Sequence, residues 1–250
     1  MESKGPLRRS LSPWWRYGVA ATIIIGLSIL AFISVAAYRN APPIPEKVVG
    51  PAGEIIFTGN EIRSGQEVFL KYGLMQNGTV WGHGSYLGPD FSAEYLHTLG
   101  LDCRTWASRE TYGKDFKDLS EAEKATVDEK VQGLLKTNRY EPKTKALMFT
   151  LPEVASYHEQ VGKWASYFSG PTVSGGLPIK YIADHDEIRL LTTFFAWTAW
   201  ASVANRPDQP YSYTNNFPYD PTVGNILTSN AILWSALSLI SLLAAAALVL

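Results

Sequence analysis

Two long apolar runs bracket a polar stretch. The first spans Tyr17 to Tyr38; the second, AILWSALSLISLLAAAALVL, spans Ala231 to Leu250. Each has the ~20 apolar residues that an α-helix needs to cross a bilayer. The pattern divides the chain into an amino-terminal tail (1–16), a first transmembrane helix (17–38), a polar domain (39–229) and a second transmembrane helix (230–250). The first run is too long for a cleaved signal peptide, and no A-x-A site precedes the Pro-rich segment, so it reads as a retained anchor. The second run ends without a loop or basic anchor, which predicts that more protein follows Leu250.

Between the runs the pattern is mostly helical. Arg39 to Pro45 (RNAPPIP) predicts an extended linker, because consecutive prolines forbid helix. A Gly-Pro-Ala-Gly turn and Glu-Ile-Ile-Phe-Thr predict a short strand or hairpin over 48–58. Asn60 is a candidate cap for a helix to about Tyr72, with Ile62, Phe69 and Tyr72 near one face. Gly73 to Pro89 reads as a glycine-rich loop. Ser92 is the expected cap of the next helix, with Phe91 and Leu96 as a hydrophobic staple. Ser120 to Glu123 matches a capping box, opening a helix with Val127, Val131, Leu134 and Leu135 at amphipathic spacing. Glu141 to Thr144 reads as a turn and Ala146 to Leu151 as a strand. Pro152 suits the first position of a helix striped by Val154, Tyr157, Val161, Trp164 and Phe168. Gly170 to Pro178 reads as a loop. Asp184 to Glu187 resembles another capping box, before the most apolar helix of the domain, Ile188 to Ala204, which contains FFAWTAWA.

Charge sets an orientation. Lys4, Arg8, Arg9 and Arg16 precede the first run with only Glu2 opposing them, and Trp14, Trp15 and Tyr17 form an interfacial belt. The positive-inside rule then places the amino terminus in the cytoplasm and the polar domain outside it. A net charge of −1 over 250 residues gives no electrostatic case for nucleic acid. The single cysteine, Cys103, excludes an intrachain disulfide, a CxxCH haem-attachment motif and a multi-cysteine metal site. It reads as a small buried apolar residue.

Candidate chemistry is sparse. His83 lies in Trp-Gly-His-Gly-Ser-Tyr, where glycines permit close approach of a ligand, but a histidine bonded to the backbone is the simpler reading. His97 and His158 lie on helix surfaces or edges and lack a second histidine at metal spacing. His185-Asp186-Glu187 fits a helix start, where acids complement the dipole. Phe194, Phe195, Trp197 and Trp200 could line a quinone or haem pocket, though aromatics at helical spacing more often form core. Asn77-Gly78-Thr79 matches a short, common glycosylation motif. Glu67, Asp90 and Glu94 are carboxylates that nothing in the sequence pairs. The residues alone support no catalytic constellation.

Taken in order, NAPPIPEKVV, GQEVFLKYGLMQNGTVWGHGSYLGPDFSAEYLH, YGKDFKDLS and LLTTFFAWTAWASVANRPDQPYSYTNNFP resemble the amino-terminal region of quinol-dependent, single-chain nitric oxide reductases of the haem-copper oxidase superfamily. The resemblance implies a mainly α, cytochrome c-like extracytoplasmic domain between two transmembrane helices. In cytochrome c-dependent relatives a CxxCH motif is followed by a glycine-rich loop with a tyrosine, then a proline and an acid. Here Gly82 to Tyr86 and Pro89-Asp90 fit that loop, while Leu74, Met75, Gln76, Asn77 and Gly78 stand where CxxCH would. The resemblance therefore implies a fold that holds no haem and no other cofactor of its own. By the same resemblance Tyr86 matches a tyrosine that helps a calcium ion bridge haem propionates.

The family's reaction, 2 NO + 2 electrons + 2 protons to N2O + H2O, is implied for the complete protein, in a bacterial or archaeal cytoplasmic membrane. Its haem b, high-spin haem b and non-haem iron would sit in a catalytic bundle beyond Leu250, with membrane quinol as electron donor. The expected partners are the lipid bilayer, that bundle and quinol. Two other readings share the topology: a two-span receptor with an extracytoplasmic sensor domain, and a stand-alone haemless subunit paired with a separate catalytic chain.

Overall fold

The computed structural model describes residues 12–249, and side chains to 248. The basic residues Lys4, Arg8 and Arg9 and the terminal Leu250 lie outside the described residues. The chain divides into two units, residues 1–41 and 42–250.

The described part of the first unit is dominated by one helix, α1 (Trp14–Arg39), which buries no residue. It is long and apolar enough to cross a membrane. Arg39 lies in its last turn, where a cation suits the dipole.

The second unit begins with a β-hairpin, β1 (Lys47–Val49) and β2 (Ile55–Thr58), as the turn chemistry predicts. Thr58 then caps α2 (Gly59–Lys71). Glu61 Oε2 accepts from Thr58 N at 2.8 Å, and Thr58 Oγ1 accepts from Glu61 N at 3.3 Å. The expected cap, Asn60, is inside the helix: a reciprocal box satisfies two terminal N–H groups where Asn60 could satisfy one.

A left-handed Gly73 leads through a 3-10 turn (Leu74–Gln76) to a small hairpin, β3 (Thr79–Val80) and β4 (His83–Gly84). The next helix, α3 (Phe91–Tyr112), is capped by Asp90 and not by Ser92. Phe91 is consequently the first helical residue rather than the outer half of a staple, and it is fully buried. Ser120 caps α4 (Glu121–Lys136) with the predicted box. Val127, Val131 and Leu135 are buried there, with Leu134 packed alongside.

β5 (Tyr140–Glu141) and β6 (Ala146–Met148) complete a sheet of order β2-β1-β6-β5. Its middle pair, β1 and β6, is parallel. Thr150 and Glu153 open α5 (Leu151–Ser169), putting Pro152 one position later than expected. Asp184 caps α6 (His185–Val203), accepting from the amides of Asp186 and Glu187. Glu187 does not complete the box. Its carboxylate instead takes Lys71 Nζ at 2.5 Å and Tyr72 Oη at 2.7 Å, two stronger donors from the end of α2.

Helix α6 is the axis of the domain. Every residue from 191 to 204 is buried, as befits a helix apolar on all sides. It packs against α2, α3 and α5. Contact with α2 is close because Gly65 has no side chain: a Cβ there would run into the Leu190 carbonyl oxygen. The last helix, α7 (Ser229–Val249), is also long and apolar enough to span a membrane. Thr228 Oγ1 accepts from Ala231 N at 3.2 Å at its start.

Candidate functional site

The glycine-rich loop between α2 and α3 is built around Asp90. Its Oδ2 accepts from Thr79 Oγ1 and from Gly82 N, both at 2.7 Å. Its Oδ1 accepts from Ser92 Oγ at 2.5 Å and from the capped Ala93 N at 2.9 Å. One carboxylate thus holds the hairpin, the loop and the start of α3 together. The loop closes with Ser85 N on the Met75 carbonyl at 2.8 Å and Gly88 N on the Asn77 carbonyl at 2.6 Å.

The segment Leu74 to Gly78 faces both ways. Leu74 is fully buried, whereas Met75 is 45% exposed. Asn77 is buried, and its amide donates to the Gly175 carbonyl. That contact keeps the Asn77 amide inside the folded domain. Gly78 lies directly against the Phe91 ring: a Cβ on it would sit 2.7 Å from Phe91 Cε2.

Behind Gly78 is a continuous aromatic core. Phe91 stacks on Phe195 at 4.9 Å with 5° between the planes. Trp164 lies 5.8 Å from Phe91 and 5.0 Å from Phe195. Phe69 meets Phe91 edge-on at 5.8 Å. Trp197 and Trp200 are buried with them, so the FFAWTAWA aromatics form core rather than a pocket wall.

Residues 45–219 match the family model for the NorB cytochrome c-like domain of nitric oxide reductase. The chain belongs to that family. No curated protein matches it. The family's description makes haem the group to test against these residues. The segment Leu74 to Gly78 offers neither a thiol nor an imidazole, and Phe91 closes its inner side. The residues present do not fit a covalently attached haem.

The other candidates are dispersed. His83, His158 and His185 are exposed. Among the described residues no three His, Cys, Asp or Glu side chains gather as a metal site. His97 has a partner the sequence did not reveal: its Nδ1 lies 2.9 Å from Asp220 Oδ2, 123 positions away. Glu94 pairs with Lys163 at 2.6 Å, and Glu67 is exposed. Tyr86 is 84% exposed, with its hydroxyl 3.4 Å from the Gly82 carbonyl. Those two oxygens fall short of the six to eight that calcium takes, and both Asp90 oxygens are engaged. The described residues do not make a calcium site by themselves. Cys103 is buried, and burial pushes its thiol far above the ordinary range.

Lys136 is the unexpected group. Among the described residues its ammonium has no carboxylate partner. It donates to Asn216 Oδ1 at 2.8 Å and Asn225 Oδ1 at 2.6 Å, fastening α4 to the segment that leads to α7. Burial lowers its pKa to about 8.

Proposed function

We infer that this chain is the amino-terminal part of a quinol-dependent nitric oxide reductase, in which the domain is a haemless cap on the extracytoplasmic face of the catalytic bundle. The observation that carries this reading is the family match over a domain in which Leu74 to Gly78, with no cysteine or histidine, stand in the place of a haem-attachment motif, with the Phe91–Phe195 stack behind them. A cytochrome c-type domain passes electrons through its haem. With a core of phenylalanine and tryptophan in its place, electrons reach the bundle by another route, and a membrane-soluble quinol is the donor that needs no soluble electron carrier.

The bundle would hold haem b, high-spin haem b and non-haem iron, and these would supply the redox chemistry for reducing NO to N2O. The cap's contribution is to exclude water from that face and to hold the two apolar helices at its ends. Basic residues before α1 support the orientation with the domain outside the cytoplasm.

Extraction of the intact polypeptide with acidified organic solvent tests the haemless cap. All haem is expected in the solvent, because b-type haem is not covalently held. Haem retained on the polypeptide overturns the reading.

A further inference from the structure

We propose that residues 214–227, the connector between the domain and α7, form a strap that opens as a unit of its own, with the Lys136 ammonium as its fastening. The proposal rests on no reading of what the protein does.

Polar contacts hold the strap. Its helical element is a single 3-10 turn, Pro221–Val223. Among these described residues the buried side chains are Asn216, Asp220, Val223 and Asn225, and Val223 alone is apolar. Val223 fits against α3 where Gly100 has no side chain: a Cβ there would come within 2.6 Å of Val223 Cγ1. Hydrogen bonds exchange with water at small net cost. A segment with few buried apolar contacts therefore opens before the core does. Helix α6, buried from 191 to 204, is the opposite case.

The hydrogen bonds converge on two asparagines, one near each end of the strap. Asn216 Nδ2 donates to the Ile226 carbonyl at 3.0 Å. Asn225 Nδ2 donates to the Ser202 and Pro218 carbonyls, both at 3.0 Å. Lys136 Nζ donates to the Oδ1 of both asparagines. Gln132, one turn earlier on α4, donates to the Pro221 carbonyl at 2.9 Å. One ammonium thus ties both ends of the strap to α4.

The other charged groups nearby are engaged elsewhere. Asp220 of the strap takes His97 of α3 and the Thr222 amide. Arg206, ahead of the strap, donates to the Tyr213 carbonyl. Arg139, just past α4, pairs with Glu153 of α5. From 190 to 204, α6 carries no Lys, Arg, Asp or Glu. Burial accordingly lowers the Lys136 pKa to about 8, from an ordinary value of 10.5 that the opened strap would restore. The open form then binds the proton more tightly. The strap is loosest below pH 8 and tightens as the pH rises towards 10.5.

The test is hydrogen exchange of the intact polypeptide in detergent at pH 7 and pH 9. Rates are corrected for intrinsic exchange, under conditions where exchange follows the opening equilibrium. The Val223 and Asn225 amides, both on the Asp220 carbonyl, report the strap. The amides of α6 report opening of the whole domain. The strap amides are expected to be less protected than α6 at both pH values. They should gain about tenfold in protection from pH 7 to pH 9, as proton binding at pKa 8 closed and 10.5 open requires. Lys136→Met should remove that gain. Strap amides exchanging no faster than α6 overturn the proposal, because the segment then opens only with the domain. Equal protection at the two pH values in the wild-type chain, which needs no variant to fold, also overturns it. So does a gain that persists in Lys136→Met.

Discussion

The rings of Phe91 and Phe195 lie parallel, 4.9 Å apart, joining the first residue of α3 to the middle of the buried helix α6. Phe91 also closes the inner side of Gly78. This pair therefore links the loop segment Leu74 to Gly78 to the axis of the domain.

Phe91→Ala is expected to destabilise the domain by about 3–5 kcal/mol, the usual cost of emptying a buried phenylalanine site. Thermal unfolding of the detergent-solubilised chain, followed by tryptophan fluorescence, measures it. A change below 1 kcal/mol (about the cost of a tolerated volume-conserving swap) would mean that the aromatic stack is not the structural core.

The buried Glu153 pairs with the partly exposed Arg139, one guanidinium nitrogen lying 2.7 and 2.6 Å from the two carboxylate oxygens. Arg139 also donates to the Leu134 and Met148 carbonyls, tying α4 to β6. Arg139→Met leaves a buried carboxylate without its partner and is expected to cost about 3–5 kcal/mol. Adding Glu153→Leu should recover part of the loss. If the double variant is less stable than Arg139→Met alone, the buried charge is not the source of the loss.

Lys136 predicts a pH dependence. Its pKa is about 8 in the folded domain, below its ordinary value of 10.5, because burial disfavours the ammonium. Below pH 8 both states are protonated and the destabilisation is fully present. Between 8 and 10.5 the unfolded chain holds a proton that the folded chain has lost, so this group's contribution to stability rises with pH. Lys136→Met should remove that rise. The check is the melting temperature of both proteins across this window; parallel curves would contradict the assignment.

Much of the helical layout was legible because patterns of three to four residues fix it locally. Ser120 and Glu123 announce α4 by spacing alone, and the charge-free FFAWTAWA segment announces the buried α6. Two further capping boxes, Thr58 with Glu61 and Thr150 with Glu153, were also written in the sequence, as T-x-x-E. The cap at Asp90 was less visible, because Ser92 has equal propensity and only the loop contacts of Asp90 decide between them. His97–Asp220 and Lys136 with Asn216 and Asn225 could not be read at all: their partners lie 80 to 123 positions apart, and only the folded chain brings them together.

Cys103 should be inert in the folded protein. It is buried, and its thiol is held protonated by that burial. A disulfide reagent such as dithionitrobenzoate is expected to leave the native chain unmodified and to titrate one thiol after denaturation. Rapid labelling of the native chain would place Cys103 at a surface.

The most direct measurement is NO reduction to N2O by the intact polypeptide with two alternative donors, a membrane quinol and a reduced soluble cytochrome c. Turnover supported by quinol and not by the cytochrome is the predicted result. Turnover driven by the cytochrome and not by quinol would contradict the account of this domain as a haemless cap on a quinol-fed enzyme.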